Sequence, residues 1–298
     1  MNNFNPLIAG TAIVASIVIT QPVFAKSAKE VAKIAIPTTV QINNTLSPGD
    51  SGSGVIIAKQ GNTYTVLTAN HVVKNSNSEY VIRTAKGKNH PVTGVQSLAG
   101  NKGTLDLAIV KFESNEEYSI APVTNSDEAS IGSGIYISGY PIPAGNGTER
   151  EYAFTNGQVT NIRAGNAEGY TMRYDAVTRR GMSGGPVFDV SGRVVGIHGQ
   201  GDTVGTVTNE SGQRNEEVKT GLNSAIPINT FMAMASQAGI DKSSLKVDNK
   251  APANQDAQKV SEKEVNGWFD NFAEGIAKDV GDAVRGSVQQ KIQEIFRF

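Results

Sequence analysis

A glycine-rich turn presents a single serine at residues 181–188, which read Gly181-Met182-Ser183-Gly184-Gly185-Pro186-Val187-Phe188. Glycine adopts backbone conformations that other residues avoid, so such a turn can expose the serine hydroxyl and direct neighbouring N–H groups toward one point. N–H groups arranged in this way stabilise negative charge that develops on an oxygen atom. The apolar residues after the turn predict that it leads into a β-strand. The stretch is therefore a candidate for nucleophilic chemistry on a β scaffold.

Two further segments carry the groups that a nucleophilic serine needs. Residues 67–73 (Leu-Thr-Ala-Asn-His-Val-Val) end a predicted strand at His71, and residues 105–110 (Leu-Asp-Leu-Ala-Ile-Val) hold Asp106 in an otherwise apolar run. A serine hydroxyl is a poor nucleophile until a positioned base removes its proton. Imidazole is such a base near neutral pH, and a buried carboxylate fixes its tautomer. His71, Asp106 and Ser183 are therefore a candidate catalytic triad.

Each of the three segments has a simpler explanation when it is taken alone. A histidine after a strand is most often a surface or capping residue. An aspartate in an apolar run can be a satisfied core acid or an edge-strand residue that opposes aggregation. A glycine-rich turn can simply be flexible. The three segments in combination are what favours catalysis.

Short apolar or alternating runs, separated by Gly, Asn and Pro, fill residues 36–220. Turn signals at Gln60-Gly61-Asn62 and Ser191-Gly192 indicate hairpins. Many short strands without helical stretches between them, in a chain with 32 glycines among 298 residues, favour an antiparallel all-β sandwich or barrel. The predicted strands are Thr38–Asn43, Gly54–Lys59, Tyr64–Thr68, Tyr80–Thr84, Leu105–Phe112, Gly134–Gly139, Gly157–Ile162, Tyr170–Tyr174, Pro186–Asp189 and Arg193–Ile197.

The candidate triad occurs along the chain in the order His71, Asp106, Ser183. In this order and in its flanking residues, the chain resembles the bacterial branch of the chymotrypsin-like (trypsin-like) serine peptidases. Residues 52–57 (Gly-Ser-Gly-Val-Ile-Ile) and 105–108 also look like the protease domain of the periplasmic high-temperature-requirement proteases. The resemblance covers roughly residues 36–240. It implies two six-stranded antiparallel β-barrels with the active site between them. It also implies His71 as general base and acid, Asp106 as its orienting group, Ser183 as the nucleophile, and an oxyanion hole made by the N–H groups of Gly181 and Ser183.

One residue departs from the pattern of the animal digestive enzymes in this family. Met182 stands where those enzymes have an acid that pairs with a newly freed amino terminus. That activation switch is therefore not expected in this chain.

The residues around the serine also resemble those of the glutamyl endopeptidases. Those enzymes carry Thr or Ser five residues before the nucleophile and His fifteen residues after it, and here these positions are Thr178 and His198. Both side chains can hydrogen-bond a substrate carboxylate, and charge-assisted bonds are the stronger kind. Arg179 and Arg180 either add positive potential at the rim, are simply solvated, or occlude the cleft. The simpler interpretation of His198 is a core or pocket-wall residue in a peptidase of looser preference.

Composition excludes several other classes of function. The 27 Lys and Arg residues balance 28 Asp and Glu residues, so the surplus of basic charge that binds nucleic acid is missing. The absence of cysteine excludes disulfides, zinc–thiolate sites, iron–sulfur clusters and a cysteine nucleophile. The three histidines do not have metal-ligand spacing, and we expect neither a metal site nor a cofactor. The remaining histidine, His90, is expected in a polar turn and has no predicted role.

The first 25 residues are typical of a secretory signal. Residues 6–20 are almost wholly apolar but fall short of the ~20 residues that span a bilayer as a helix. Val23-Phe24-Ala25 follows, which predicts cleavage after Ala25 and export to a periplasm or to the medium. An uncleaved membrane anchor is the alternative. Residues 26–35 are expected to be a propeptide or an N-terminal arm, ahead of a peptidase domain at 36–240.

The carboxyl-terminal part has three predicted segments. A helix is expected at Ile228–Gln237, and the polar, aperiodic residues 241–261 predict a linker. Apolar residues then recur at helical spacing through 262–298, which predicts an amphipathic helical tail. Such a tail can pack on its own domain or self-associate through Val265–Phe298. Membrane-surface attachment is disfavoured, because this segment has seven acids against five bases.

Taken together, these features predict a secreted serine endopeptidase that acts on proteins or peptides through an acyl-enzyme and prefers Glu or another acidic residue before the scissile bond. Two alternatives stay open. One is a broad-specificity trypsin-like protease of the envelope, and the other is a peptidase-fold binding or adaptor protein that acts through its helical tail.

Overall fold

The twelve strands of the described chain close into two six-stranded antiparallel barrels. The computed structural model describes residues 25–99, 103–143, 149–208, 215–250 and 256–260, without the side chains of 203–219. The predicted signal segment, apart from Ala25, and the predicted tail at 262–298 lie outside these ranges. The first barrel is β1 (Thr39–Asn44), β2 (Gly52–Gln60), β3 (Thr63–Ala69), β4 (Tyr80–Arg83), β5 (Asn89–Ser97) and β6 (Leu107–Glu113), in the order β1-β2-β3-β6-β5-β4. The second is β7 (Gly134–Gly139), β8 (Ala153–Ile162), β9 (Met172–Tyr174), β10 (Pro186–Asp189), β11 (Val194–Thr208) and β12 (Asn215–Pro227), in the order β10-β11-β12-β9-β8-β7.

Three α-helices accompany the barrels in the described ranges. They are α1 (Ala28–Thr38), α2 (Asn70–Val73) and α3 (Ile228–Met234). Single 3₁₀ turns occur at Pro48–Asp50, Ser126–Glu128 and Lys242–Ser244. Within the described ranges, none of these helices has the length and apolar character needed to cross a membrane.

The prediction of two six-stranded barrels is confirmed, and every predicted strand overlaps an observed one. The predicted helix at Ile228–Gln237 begins at the expected residue and ends at Met234. Strands β5 and β12 were not predicted, β5 because its side chains are largely exposed and it contains Pro91. The placement of His90 in a polar turn is therefore wrong. His90 lies in β5, with its Nε2 at 2.7 Å from the Tyr118 hydroxyl.

Each barrel is filled by its own apolar cluster, and a third cluster occupies the seam between the barrels. The seam cluster takes Val55 and Leu67 from the first barrel and Tyr136 and Phe188 from the second, all of them fully buried. Burial of an aliphatic or aromatic side chain contributes about 1.5–3 kcal/mol. The seam therefore holds the two barrels together by the same force that fills each of them.

Helix α1 covers this seam. Its start has a reciprocal capping box: the Glu30 N–H donates to Ser27 Oγ at 3.3 Å, and the Ser27 N–H donates to Glu30 Oε2 at 2.8 Å. Val31, Ala35 and Ile36 point into the seam cluster and are at most 2% exposed. The segment that the sequence predicts as a propeptide or arm is thus a packed helix in this structure.

The segment that precedes the first barrel and the segment that follows the second barrel both contact the turn between β10 and β11. The Lys26 N–H donates to Val190 O at 2.9 Å, and Lys26 Nζ donates to Ser191 O at 2.9 Å. On the other side, the buried Arg193 donates to Asp248 O at 3.3 Å. Part of the predicted linker is therefore fixed to the barrels, with Asp248 on the second barrel and Leu245 bridged to Ala58 of the first.

We predict that Ile36→Ala lowers the free energy of unfolding by about 2–5 kcal/mol, because it opens a cavity in the seam cluster. Lys33→Ala, on the exposed face of the same helix, is the matched control and is expected to change stability by less than about 0.5 kcal/mol. Urea denaturation of both variants measures the difference. Equal stability of the two variants would show that α1 only precedes the domain and does not support it.

Candidate active site

His71 is presented by the end of β3 and the single turn of α2. The N–H of Asn70, the first residue of α2, donates to Asp106 O at 3.1 Å. Val72 and Val73 are buried and fix the turn to the core of the first barrel. The imidazole is 37% exposed, so a molecule that enters the cleft can reach it.

Asp106 comes directly before β6 and accepts three hydrogen bonds. Oδ1 accepts from the His71 N–H, and Oδ2 accepts from His71 Nδ1 and from the Tyr170 hydroxyl, each at 2.6 Å. Burial opposes the charged form of Asp106, but the hydrogen bonds and charge of His71, with the bond from Tyr170, outweigh burial and hold its pKa below the ordinary value. An ionised carboxylate only accepts, so neutral His71 carries its proton on Nδ1 and keeps a lone pair on Nε2. This is the tautomer that a general base requires.

Ser183 lies in a turn that packs against the strand leading to His71. Gly184 has φ +84° and approaches Thr68 so closely that a Cβ would lie 2.0 Å from Thr68 Oγ1. Within the described chain, the Ser183 hydroxyl donates to Gly199 O at 3.3 Å and makes no hydrogen bond with His71. Contacts between nucleophile and base are often long in unliganded sites and shorten when substrate binds.

Tyr170 connects the serine side of the cleft to the acid. Its hydroxyl packs on Gly199, where a Cβ would lie 1.8 Å from the hydroxyl oxygen, and the same hydroxyl donates to Asp106. Burial and the neighbouring Asp106 charge raise the pKa of Tyr170, so the tyrosine stays protonated and acts as a donor. The structure thus brings the three predicted triad residues into one contiguous cluster between the barrels, although Ser183 and His71 are not directly bonded.

The turn before Ser183 leaves two backbone donors unused. Gly181 has φ +93°, and the Ile142 N–H donates to Arg180 O at 2.8 Å. That bond orients the peptide between residues 180 and 181. Among the hydrogen bonds of the described residues, neither the Gly181 N–H nor the Ser183 N–H is a donor. These are the two groups that the sequence predicts for an oxyanion hole.

Thr178 and His198, the predicted specificity residues, are both buried in the second barrel. The Thr178 hydroxyl donates to Asn223 Oδ1 at 2.5 Å, while Asn223 Nδ2 donates to Ala176 O at 2.5 Å. Because the amide nitrogen of Asn223 is directed at a carbonyl, its oxygen must face Thr178. Thr178 is therefore the donor of this pair and offers lone pairs to other groups.

His198, in β11, is fixed by a buried tyrosine of β9, from which β12 separates it in the barrel. The Tyr174 hydroxyl lies 2.6 Å from His198 Nδ1, and burial raises the pKa of Tyr174 well above its ordinary value. With the hydroxyl as donor, neutral His198 accepts at Nδ1 and carries its own proton on Nε2. Tyr174 is also the register partner of Asn223. The two hydrogen-bonded pairs, Thr178–Asn223 and Tyr174–His198, are therefore linked through the pairing of β9 with β12, and their side chains are buried.

Arg179 and Arg180 are exposed and do not enter this cluster of buried side chains. Arg180 Nη2 lies 3.4 Å from Asp50 Oδ1 across the surface, and exposed pairs of this kind stabilise a protein by about 1 kcal/mol or less.

Four residues that contact the site have no local signal in the sequence: Tyr170, Tyr174, Asn223 and Arg150. Arg150 donates to Gly181 O at 2.9 Å, and Tyr170 reaches Asp106 across 64 residues of sequence. Only the folded chain brings these side chains to the cleft.

We predict that Tyr170→Phe lowers the free energy of unfolding by about 1.5–3 kcal/mol at pH 7, because an ionised, largely buried carboxylate loses a donor. The bond from Tyr170 helps to lower the folded pKa of Asp106, so its stabilisation is present above the unfolded pKa and is lost as pH falls through the folded pKa. The deficit of the variant should therefore shrink toward pH 3. Urea denaturation at both pH values measures it.

Tyr140→Phe is the matched control for that substitution. The Tyr140 hydroxyl is buried without a hydrogen-bond partner among the described residues, so its removal should cost little at either pH. A deficit for Tyr170→Phe that is independent of pH would contradict the assigned bond to Asp106.

Comparison with known proteins agrees with this geometry. Residues 26–197 match the family described as trypsin-like peptidase domain. Serine protease Do-like HtrA of Lactococcus lactis subsp. lactis (strain IL1403) is 29% identical over 208 residues, which cover 66% of this chain and 46% of that protein. Glutamyl endopeptidase of Staphylococcus aureus (strain MW2) is 31% identical over 160 residues, which cover 49% of this chain and 45% of that protein. Probable periplasmic serine endoprotease DegP-like of Rhizobium meliloti (strain 1021) is 29% identical over 153 residues, which cover 51% of this chain and 28% of that protein.

The matched part of the chain spans less than half the length of each of these relatives. The family match itself extends over more than half of the chain and contains His71, Asp106 and Ser183. On this evidence the chain belongs to the family of trypsin-like peptidase domains.

Proposed function

We propose that this protein is an exported serine endopeptidase that hydrolyses peptide bonds through an acyl-enzyme on Ser183. The observation that carries the proposal is the pair of 2.6 Å bonds from His71 to Asp106, in the same cleft as a serine that is held by a glycine-rich turn. These bonds leave His71 Nε2 as the one ring position able to take a proton. A base in this state, next to a serine, is what converts a hydroxyl into a nucleophile.

The steps follow from the atoms in the cleft. Ser183 Oγ attacks the carbonyl carbon of the scissile bond while its proton passes to His71 Nε2. The carbonyl oxygen becomes an oxyanion, which the N–H groups of Gly181 and Ser183 stabilise. The imidazolium then gives its proton to the leaving amine as the C–N bond breaks. Water repeats the sequence on the acyl-enzyme, which releases the new carboxylate and restores Ser183.

Asp106 acts through His71 in this scheme. Its charge stabilises the imidazolium, and its bond to Nδ1 holds the ring in the productive tautomer. Because the hydrogen bonds from His71 and Tyr170 lower the pKa of Asp106 despite burial, the carboxylate is ionised throughout the range in which histidine titrates.

We also propose a preference for an acidic residue before the scissile bond. The support is that Thr178 and His198 are both buried, in hydrogen-bonded pairs that the β9–β12 pairing links, together with the likeness to proteins named glutamyl endopeptidase. With Tyr174 as the donor to Nδ1, the ring proton of His198 is on Nε2, where it is a donor suited to a carboxylate. Thr178 gives its own proton to Asn223, so we assign the larger share of the preference to His198.

Export completes the proposal. The apolar residues 6–20 followed by Val23-Phe24-Ala25 support a signal that is cleaved after Ala25, and one relative is named periplasmic. Cleavage there leaves Lys26 as the first residue. Its contacts with Val190 and Ser191 support an amino terminus that stays docked on the second barrel.

A cleavage-site profile tests the activity. Residues 26–298 are incubated with a proteome-derived peptide mixture, the products are identified by mass spectrometry, and Ser183→Ala is treated in parallel. We expect cuts that vanish in Ser183→Ala, whose kcat should fall by several orders of magnitude while substrate binding is largely retained. Cuts that persist in the variant would rule out the triad, and the absence of cuts by the unmodified chain would favour a binding or adaptor role.

The same profile tests the preference. We expect cuts after Glu, or after Glu and Asp, and we expect His198→Val to lower kcat/KM for these sites by about 10- to 100-fold, which is the cost of one hydrogen bond to a charged group. Thr178→Val is the comparison variant and should have the smaller effect. Serine-dependent cuts after other residues would instead assign the chain a broad specificity.

A further inference from the structure

The turn at residues 180–183 carries the two N–H groups proposed for the oxyanion hole. In the animal digestive enzymes an acid directly before the serine pairs with a freed amino terminus, and this chain has no acid at that position. Met182 occupies that position and is 1% exposed, so no ion pair forms there. The turn has a backbone conformation that requires glycine at residue 181. Gly181 has φ +93°, and a Cβ at this residue would lie 2.7 Å from Ile142 N. The N–H groups of Gly181 and Ser183 have no protein partner in the described chain, so these two donors do not hold the turn.

The carbonyl of Gly181 is where the turn is held from outside. It accepts from Ser53 Oγ at 2.8 Å and from Arg150 Nη2 at 2.9 Å. The same hydroxyl of Ser53 accepts from the Tyr140 N–H at 2.9 Å, and the Ser53 N–H donates to Ser183 O at 2.8 Å. Two donors on one carbonyl fix the orientation of the peptide between residues 181 and 182.

Arg150, like Ser53, joins the two barrels in this network. Its Nη2 also donates to Gly52 O at 2.8 Å, its Nη1 donates to Asn43 Oδ1 at 2.9 Å, and its Nε donates to Tyr140 O at 3.0 Å. Gly52 and Asn43 belong to the first barrel, whereas Tyr140 and Gly181 belong to the second. The planar guanidinium presents five donors in a fixed fork, which suits several acceptors at once.

Arg150 has no carboxylate partner among the described residues, which sets it apart from an ordinary structural ion pair. Its charge is directed entirely at backbone and amide oxygens. Burial lowers the pKa of Arg150 to about 10, so the group remains a cation at neutral pH. Hydrogen bonds from a charged donor are about twice as strong as neutral ones, and those of Arg150 converge on the peptide next to the serine.

We propose that Arg150 is a positioning residue that locks the 180–183 turn in the conformation that stabilises the oxyanion, in the place of an activation ion pair. The proposal rests on the proposed peptidase function for its kinetic part. On this proposal the turn takes its oxyanion-stabilising conformation as soon as the two barrels are packed, because the barrels themselves supply each partner of Arg150.

The test compares Arg150→Gln and Arg150→Lys with Arg83→Gln. Arg83 is the matched control, since it is a half-buried arginine that lines the same groove but donates to Gly87 O and Asn89 Oδ1 of its own hairpin. Hydrogen–deuterium exchange is followed at the amides of Ile142, Met182 and Gly184, whose bonds hold the turn. We expect at least tenfold faster exchange in Arg150→Gln, a smaller increase in Arg150→Lys, and none in Arg83→Gln.

Kinetic measurements add a second test, because a general loss of structure would not lower kcat while leaving KM unchanged. Loss of one oxyanion donor typically lowers kcat by about 10²- to 10³-fold. We expect Arg150→Gln to lower kcat by about 100-fold, with KM within threefold of the unmodified chain and the acidic limb of the pH profile unchanged.

Unchanged exchange at the turn, or exchange that rises equally in the β3–β6 ladder of both Arg150 variants, would overturn the proposal. A fall in kcat without faster exchange at the turn would also overturn it. The exchange readout does not depend on turnover, so an inactive unmodified chain would remove the proposed function while the exchange data still decide the role of Arg150.

Discussion

Every chemical group of this cleft depends on how firmly the two barrels are held against each other. His71 and Asp106 belong to the first barrel, and Ser183 belongs to the second, so the geometry of the candidate triad is a property of the seam. A displacement of about 1 Å between reacting groups can cost about a hundredfold in rate. The seam must therefore be both tight and specific in register.

Apolar packing supplies the tightness, and buried polar contacts supply the register. Helix α1 closes the seam with side chains that are almost completely buried. Across the same seam, the hydroxyls of Thr39 and Ser138 lie 2.6 Å apart, and Arg150 bonds to oxygens of both barrels. An apolar surface tolerates sliding, whereas a hydrogen bond between buried groups is lost if either partner moves. Together these contacts place the serine turn relative to His71.

The sequence analysis succeeds where the signal is local. The ten predicted strands alternate or run apolar between turn residues, and the segments around His71, Asp106 and Ser183 each carry their chemistry within a few residues. Strand β5 was missed because an exposed, proline-containing strand has no apolar pattern to find. Helix α1 does have a local signal, the capping pair Ser27 and Glu30, which predicts a helix start when it is read together with the apolar residues that follow.

The supporting side chains of the site lie beyond such signals, for a physical reason. Tyr170 contacts Asp106, Asn223 contacts Thr178, and Arg150 contacts Gly181, across 64, 45 and 31 residues of sequence. Nothing near any of these residues in the sequence specifies its partner, because the contact exists only after both barrels have closed. A tyrosine, an asparagine and an arginine in β-rich sequence are unremarkable until the fold places them.

The most direct test of the account is the reaction of the chain 26–298 with a fluorophosphonate, followed by intact mass measurement and peptide mapping. Such a probe reacts with a serine only when a base activates it. The account predicts one adduct, on Ser183, that forms without any prior trimming of the chain and is absent from His71→Ala. An unlabelled chain, or labelling that begins only after residues 26–35 are removed, would contradict a site that is assembled by the packing of the two barrels.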